Sequence, residues 1–328
     1  MTRDVVGIVE AAYALEPNDS EWLGGVLDRA APLLDKGLGV IAYGYDASVP
    51  GAVLTLHPRC AGIQAGRADQ FCRMVQESNA ALTPEQTHAA YSEGGPVKTV
   101  SAAFDTRPHD IPGIGAHIRP LASDFLVILA QDPSRRGCAL AAPLGDVARP
   151  SPAERRLWSR VAAHLAAGCR IRRGLSESLE TAVLSPGGRV QHAAADARAP
   201  NMLAALRDAA RRIDRARSKA RGDPSEALTL WQGLVAGRWS LVDRFETDGR
   251  RYVIARENQP HVGDPRALSL RERQVLAYSL LGHPLKLIAY ELGLSVSAVS
   301  QERRRALRKL GAKSIAEAAR LVGKAPAP

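Results

Sequence analysis

The stretch LSLRERQVLAYSLLG (residues 268–282) decides the fold of the C-terminal end, together with HPLKLIAYELG (283–293), LSVSAVSQERRRALRKLG (294–311) and AKSIAEAARLV (312–322). It breaks into four short helices. Ser269 and Glu272 stand at the spacing of a capping box, and Gly282 closes the first helix. Leu285, Ile288, Ala289 and Leu292 recur at three and four residues, an apolar stripe for a second helix. Gly293 suits a tight turn of positive φ, where a Cβ is costly. Ser295 caps a third helix whose inner positions are Val299, Ala306 and Leu310, and Gly311 ends it. Ser314 caps a fourth, with Ile315, Ala318, Ala319 and Val322 on its apolar face.

A set of fixed spacings runs through this stretch: Arg271-Glu272-Arg273 before Val275-Leu276, then Gly282, Lys286, Ile288-Ala289, Leu292-Gly293-Leu294-Ser295, Val299 and Lys309-Leu310-Gly311. It resembles the LuxR-type helix-turn-helix domain over residues 268–322. The resemblance implies that the third helix enters the major groove of double-stranded DNA. Its outer residues Ser300, Gln301 and Arg304 would meet base edges. Gln301 can pair with adenine and Arg304 with guanine O6/N7, each worth about 1–3 kcal/mol of discrimination. Lys286, Arg303, Arg305, Arg308 and Lys309 would meet phosphates, which position without specifying. The resemblance also implies a homodimer on inverted half-sites. Three positions depart from the family pattern. Ser300 stands where a lysine is common, Glu302 where a histidine is common, and Pro284 replaces the serine cap of the second helix. These changes leave the base preference open.

The formal net charge of the 328 residues is +10, which suits a polyanionic partner but equally an arginine-rich composition. Aromatic residues make up only 5%, so the cores must rest on Leu, Val, Ile and Ala. The N-terminus opens no apolar signal-peptide region, and no apolar run approaches the ~18–20 residues of a membrane span. A cytoplasmic protein without membrane contact is therefore expected. Cys60, Cys72, Cys138 and Cys169 form no CxxC pair, so reduced thiols are expected rather than a zinc site or disulfide framework.

The fold class read from the sequence is α+β and multidomain: an N-terminal α/β sensor, then an all-α four-helix domain. Residues 1–174 run as two helices, a hairpin (39–45 and 52–56), a helical stretch at 67–92, a loop (94–115), a second hairpin (123–129 and 136–143), and a long helix begun by Ser151 and Glu154. This layout resembles a GAF domain. Residues 175–257 open on a hairpin around Pro186-Gly187-Gly188 and close on another that turns at Asp248-Gly249. Between them lies a basic helix with Leu203, Leu206, Ala210 and Ile213 as its seam. This part resembles a shortened, divergent PAS domain. Residues 258–266, with Pro260, Gly263 and Pro265, read as the linker to the domain at 267–324. Sensor folds of these kinds imply an unknown small-molecule or protein effector.

Several chemistries find no motif. Asp46 follows a strand alone, without the acidic cluster of a phospho-acceptor domain. Trp22, Tyr43, Tyr45 and Asp46 are residue types of a lactone pocket, but their spacing does not match one. Nothing fits GxxxxGK[ST] or GxSxG. His57 and Cys60 make a lone HxxC, expected to be an ordinary turn. No enzyme is expected, and no catalytic residue, metal or cofactor. Cys60 and Cys72 are the thiols to follow, because only the fold can say whether they meet. Two functions follow: a DNA-binding transcription regulator, or an adaptor that docks its helix-turn-helix fold on RNA polymerase or a partner regulator, for which Ser300 and Glu302 speak. A third, a thiol redox activity on the N-terminal half, has no motif behind it.

Overall fold

The computed structural model describes residues 4–14, 17–49, 51–64, 66–173, 180–194, 197–245, 251–260 and 268–322. The chain opens with helices α1 (Val5–Ala12) and α2 (Asp19–Leu34), capped by Asp4 and Asn18. Strands β1 (Val40–Asp46) and β2 (Leu54–Ala61) follow, then helices α3 (Ala68–Ala80) and α4 (Pro84–Ser92). Next come β3 (Val97–Thr99), α5 (Val100–Phe104), α6 (Gly115–Ile118), β4 (Asp124–Gln131), β5 (Arg136–Leu144) and the long α7 (Pro152–Arg173). The five strands pair antiparallel in the order β2-β1-β5-β4-β3.

Strand alternation splits this sheet into two faces. Val40 and Ala42 of β1 pack with α1, α2 and α7, whereas Ile41, Tyr43 and Tyr45 pack with α3 to α6. Trp22 lies on the first face and Tyr43 on the second, while Trp22, Tyr45 and Asp46 line one cleft at the sheet's edge. Asp46 is ion-paired with Arg136 at 2.8 Å.

A second sheet follows: β6 (Glu180–Leu184), β7 (Val190–Ala193), β8 (Trp239–Phe245) and β9 (Arg251–Glu257), ordered β7-β6-β9-β8. Helices α8 (Pro200–Arg217) and α9 (Pro224–Leu230) lie between its two hairpins in sequence. The expected seam of α8 faces this core: Leu206, Ala210 and Ile213 are buried, joined by Ala209 and Ala216. One continuous apolar cluster runs from α1, α2 and α7 into the second sheet and α8, so the two sheet units share a core. The Asp248-Gly249 turn lies outside the described residues.

Two expectations need correction. The 94–115 stretch is not all loop: it holds β3, paired to β4, and α5, whose cap Thr99 accepts from the Ala102 amide. The linker does not begin at residue 258. Asn258 is buried, and its amide donates to the Ala167 carbonyl and the Ser240 hydroxyl. Residues 261–266 of the expected linker lie outside the described residues.

The thiols of Cys60 on β2 and Cys72 on α3 do meet, with Sγ atoms 3.6 Å apart. Burial, reinforced by Cys72, pushes the Cys60 thiol up, away from the thiolate that thiol chemistry needs. Among the described residues no group of three or more His, Cys, Asp or Glu gathers as a metal site. Among them, too, no helix is long and apolar enough to cross a membrane.

Candidate nucleic-acid interface

The last domain consists of α10 (Leu270–Leu280), α11 (Leu285–Leu292), α12 (Val296–Leu310) and α13 (Ile315–Val322). Ser269 and Glu272 complete the capping box in both directions. Pro284 stands at the start of α11 and, having no donor or acceptor side chain, makes no cap bond. Gly293 takes φ 64°, the left-handed turn that sets α12 across α11. Ser295 accepts from the Ala298 amide and caps α12. The inner faces close two small cores. One gathers Val275, Tyr278, Ile288, Leu292 and Val299; the other gathers Leu276, Ala306, Leu310 and Ala318.

This packing leaves the other side of α12 to solvent. Gln301, Arg304, Arg305 and Arg308 are exposed, and Ser300 and Arg303 are half-buried. Ser300, Arg304 and Arg308 step by four along one stripe, with Gln301 beside them. Lys286 is exposed on the first turn of α11. Val296 and Ser297, which no sequence motif singled out, are both exposed on the first turn of α12. Continuing the stripe from Gln301 back by four would have found Ser297.

Two charges behave differently from the rest. Lys309 donates to the Glu272 carboxylate at 2.7 Å, so its ammonium is tied to the cap of α10. Burial opposes the charged form of Glu272. Lys309, with the Ser269 amide and hydroxyl, nevertheless holds its carboxyl below the usual range. Glu302, the residue most awkward beside phosphate, pairs with Arg305 at 3.0 Å, and the helix itself meets its charge.

The domain is docked on the rest of the chain by its other side. Arg271 donates to the Ala236 carbonyl at 2.6 Å, and Gln274 to Gly237 at 3.0 Å. Tyr290 of α11 donates to the Trp231 carbonyl at 2.8 Å and lies 2.7 Å from His164 Nε2 of α7. Arg160 of α7 covers the Tyr290 ring at 5.2 Å. A Cβ on Gly293 would fall 2.1 Å from the Leu234 carbonyl oxygen, which measures how closely that loop lies on the turn.

A capped four-helix core with a tight glycine turn and an exposed basic third helix defines a helix-turn-helix domain. Residues 266–322 match the GerE family model, described as bacterial regulatory proteins of the luxR family. The C-terminal end of this chain is therefore a LuxR-family helix-turn-helix domain. No curated protein matches the chain.

Proposed function

We propose that this protein is a sequence-specific DNA-binding transcription regulator whose N-terminal region senses an effector and passes its state to the helix-turn-helix domain. The observation that carries the reading is the two-sidedness of that domain. One side presents Gln301, Arg304 and Arg308 to solvent, and the other is bonded to α7 and to the loop from Trp231 to Gly237. An effector that altered the docked side would bias how the free side meets DNA.

In this reading Ser300, Gln301 and Arg304 contact bases. Val296 at the leading turn adds an apolar group able to meet a thymine methyl. Lys286, Arg303, Arg305 and Arg308 contact phosphates, while Lys309 serves the fold through Glu272. The two sheet units take the GAF-like and PAS-like sensor roles. The working form is a homodimer on an inverted repeat, and no reaction is assigned to the chain.

The test is binding of the full chain to a pool of random duplex DNA, with sequencing of the retained fraction at two salt concentrations. An inverted repeat enriched at both concentrations is the expected result. Retention that is blind to sequence and vanishes with salt would sink the reading.

A further inference from the structure

A cavity of about 100 Å³ lies between the first sheet and helices α3 to α6. It is smaller than the ~150 Å³ apolar cavity that takes benzene, but it is open on one side, so a single ring fits with a small adjustment of its side chains. Its walls are mainly apolar, with Met74, Val75, Leu82, Ile114 and Phe125 among them. Two tyrosines at the wall are satisfied by their neighbours. Tyr91 donates to Asn79 at 2.8 Å, Asn79 donates to Thr55 at 2.8 Å, and the Tyr43 hydroxyl lies 3.4 Å from that of Tyr91. The Ser78 hydroxyl oxygen, in the same wall, is buried without a hydrogen-bond partner among the described residues.

The other polar groups are Thr99, whose hydroxyl is bonded to the Ser101 hydroxyl and the Ala102 amide, and Lys98. Lys98 stands on β3 opposite Val127, lines the cavity, and is 8% exposed. Its ammonium donates to the Ala89 carbonyl at 3.1 Å and to the Glu93 carbonyl. An ammonium has three N–H groups, so one is left over. No carboxylate of the described residues lies within ion-pair distance of it, and the Glu93 carboxylate is engaged with His88 at 3.1 Å. Burial pushes the Lys98 amine down to about 8, with the Glu93 charge opposing. A desolvated cation without a counter-ion is costly, and an anion placed in the cavity removes that cost.

We propose that this cavity binds a small monocarboxylate with an apolar body, a single ring or a short branched chain, whose carboxylate is held by Lys98. Taken as the effector site, the proposal rests on the regulator reading above. The same ammonium supplies a route to the DNA-binding domain. It holds the Glu93 carbonyl, and the chain then turns through Gly94 and Gly95, at φ 76° and 75°. That turn lies against the end of α10, where a Cβ on Gly282 would come 3.2 Å from the Gly95 nitrogen. A carboxylate that draws the ammonium into the cavity releases Glu93 and frees the turn on which α10 rests.

The experiment measures binding of benzoate and of benzamide to the full chain by calorimetry, without DNA. The parent is expected to bind benzoate at least tenfold more tightly than benzamide, and Lys98→Met to lose that preference. Equal binding of the two, binding of neither, or an unchanged preference in Lys98→Met would overturn the proposal. The parent comparison needs no variant, so a poorly folded Lys98→Met leaves the test intact. The second readout is affinity for the selected duplex with and without benzoate. A shift in the parent is expected, and benzoate binding with no shift would overturn the effector role. Selection of a duplex without any acid tests the regulator reading alone, so the two failures are distinguishable.

Discussion

On α12, neighbouring side chains of the same charge have different surroundings and so different consequences. Arg304 and Arg308 are exposed four residues apart on the outer stripe. Arg304 lies just past the middle of the helix, Arg308 in its last turn. Arg304→Ala is expected to cost about 1–3 kcal/mol and to relax the preference at one base position. Arg308→Ala is expected to weaken all sequences alike and to reduce the salt slope by about 1. Titration of selected and scrambled duplexes across salt concentrations separates the two, and identical behaviour would show that the outer face is wrongly assigned. Lys309→Ala provides the contrast. Its ammonium is bonded to Glu272, a carboxylate that is 4% exposed. Its loss leaves that acid without its cation, so a lowered Tm with an unchanged salt slope is expected. A slope that falls as it does in Arg308→Ala would place Lys309 on phosphate instead.

The elements themselves are held by short-range signals, and this is why so much of them can be read from the chain. Ser269 with Glu272 and Ser151 with Glu154 each form reciprocal caps, within four residues of sequence. Gly293 and Gly311 both end helices in the left-handed region, at φ 64° and 69°. Their surroundings differ, however. A Cβ on Gly311 meets nothing within 4 Å, whereas on Gly293 it meets the Leu234 carbonyl at 2.1 Å. Gly311→Ala is expected to cost only the left-handed penalty, about 1–2 kcal/mol. Gly293→Ala should cost more, because a backbone oxygen must also move. Urea unfolding of both variants checks this, and equal losses would mean that the loop does not press on the turn. That difference is invisible in the sequence, where both positions read as a glycine after a helix. The same limit hid β3. Three residues carry no periodicity, and Val97–Thr99 becomes a strand only through pairing with Leu126–Ile128. Ser300, Gln301 and Arg304 on the outer side of α12 were legible through the family resemblance, whereas Val296 and Ser297 on its first turn were not. The tie from Lys309 to Glu272 was not, because it crosses between helices of the folded domain.

At the scale of the whole molecule, one buried imidazole joins three parts of the chain. His164 of α7 is fully buried, with Nδ1 3.1 Å from the Tyr13 hydroxyl and Nε2 2.7 Å from that of Tyr290. Tyr290 gives its own proton to the Trp231 carbonyl, so it accepts from Nε2–H, and Nδ1 is left to accept from Tyr13. Every group in this chain is satisfied with the ring neutral. Burial, helped by the Arg160 charge, pushes the His164 pKa down to about 3, against a hydrogen bond at Trp231 that raises it. Because the folded value lies below the ordinary 6.5, the unfolded chain takes up the proton first as pH falls. The contribution is therefore complete above about pH 6.5. It is lost at up to about 1.4 kcal/mol per unit as pH falls toward 3. His164→Gln removes the titrating group, while the other acid-sensitive groups stay common to both proteins and cancel in the difference. Between pH 7 and 4.5 the parent is expected to lose about 2–3 kcal/mol more than the variant in urea unfolding. Parallel curves would mean that the ring already carries its proton in the folded protein. Since Tyr290 belongs to α11, the same acidification should loosen the docked side of the helix-turn-helix domain before the sheets unfold. Amide exchange in α11 should therefore rise ahead of exchange in β4 and β5 as pH is lowered, once corrected for the intrinsic pH dependence of exchange.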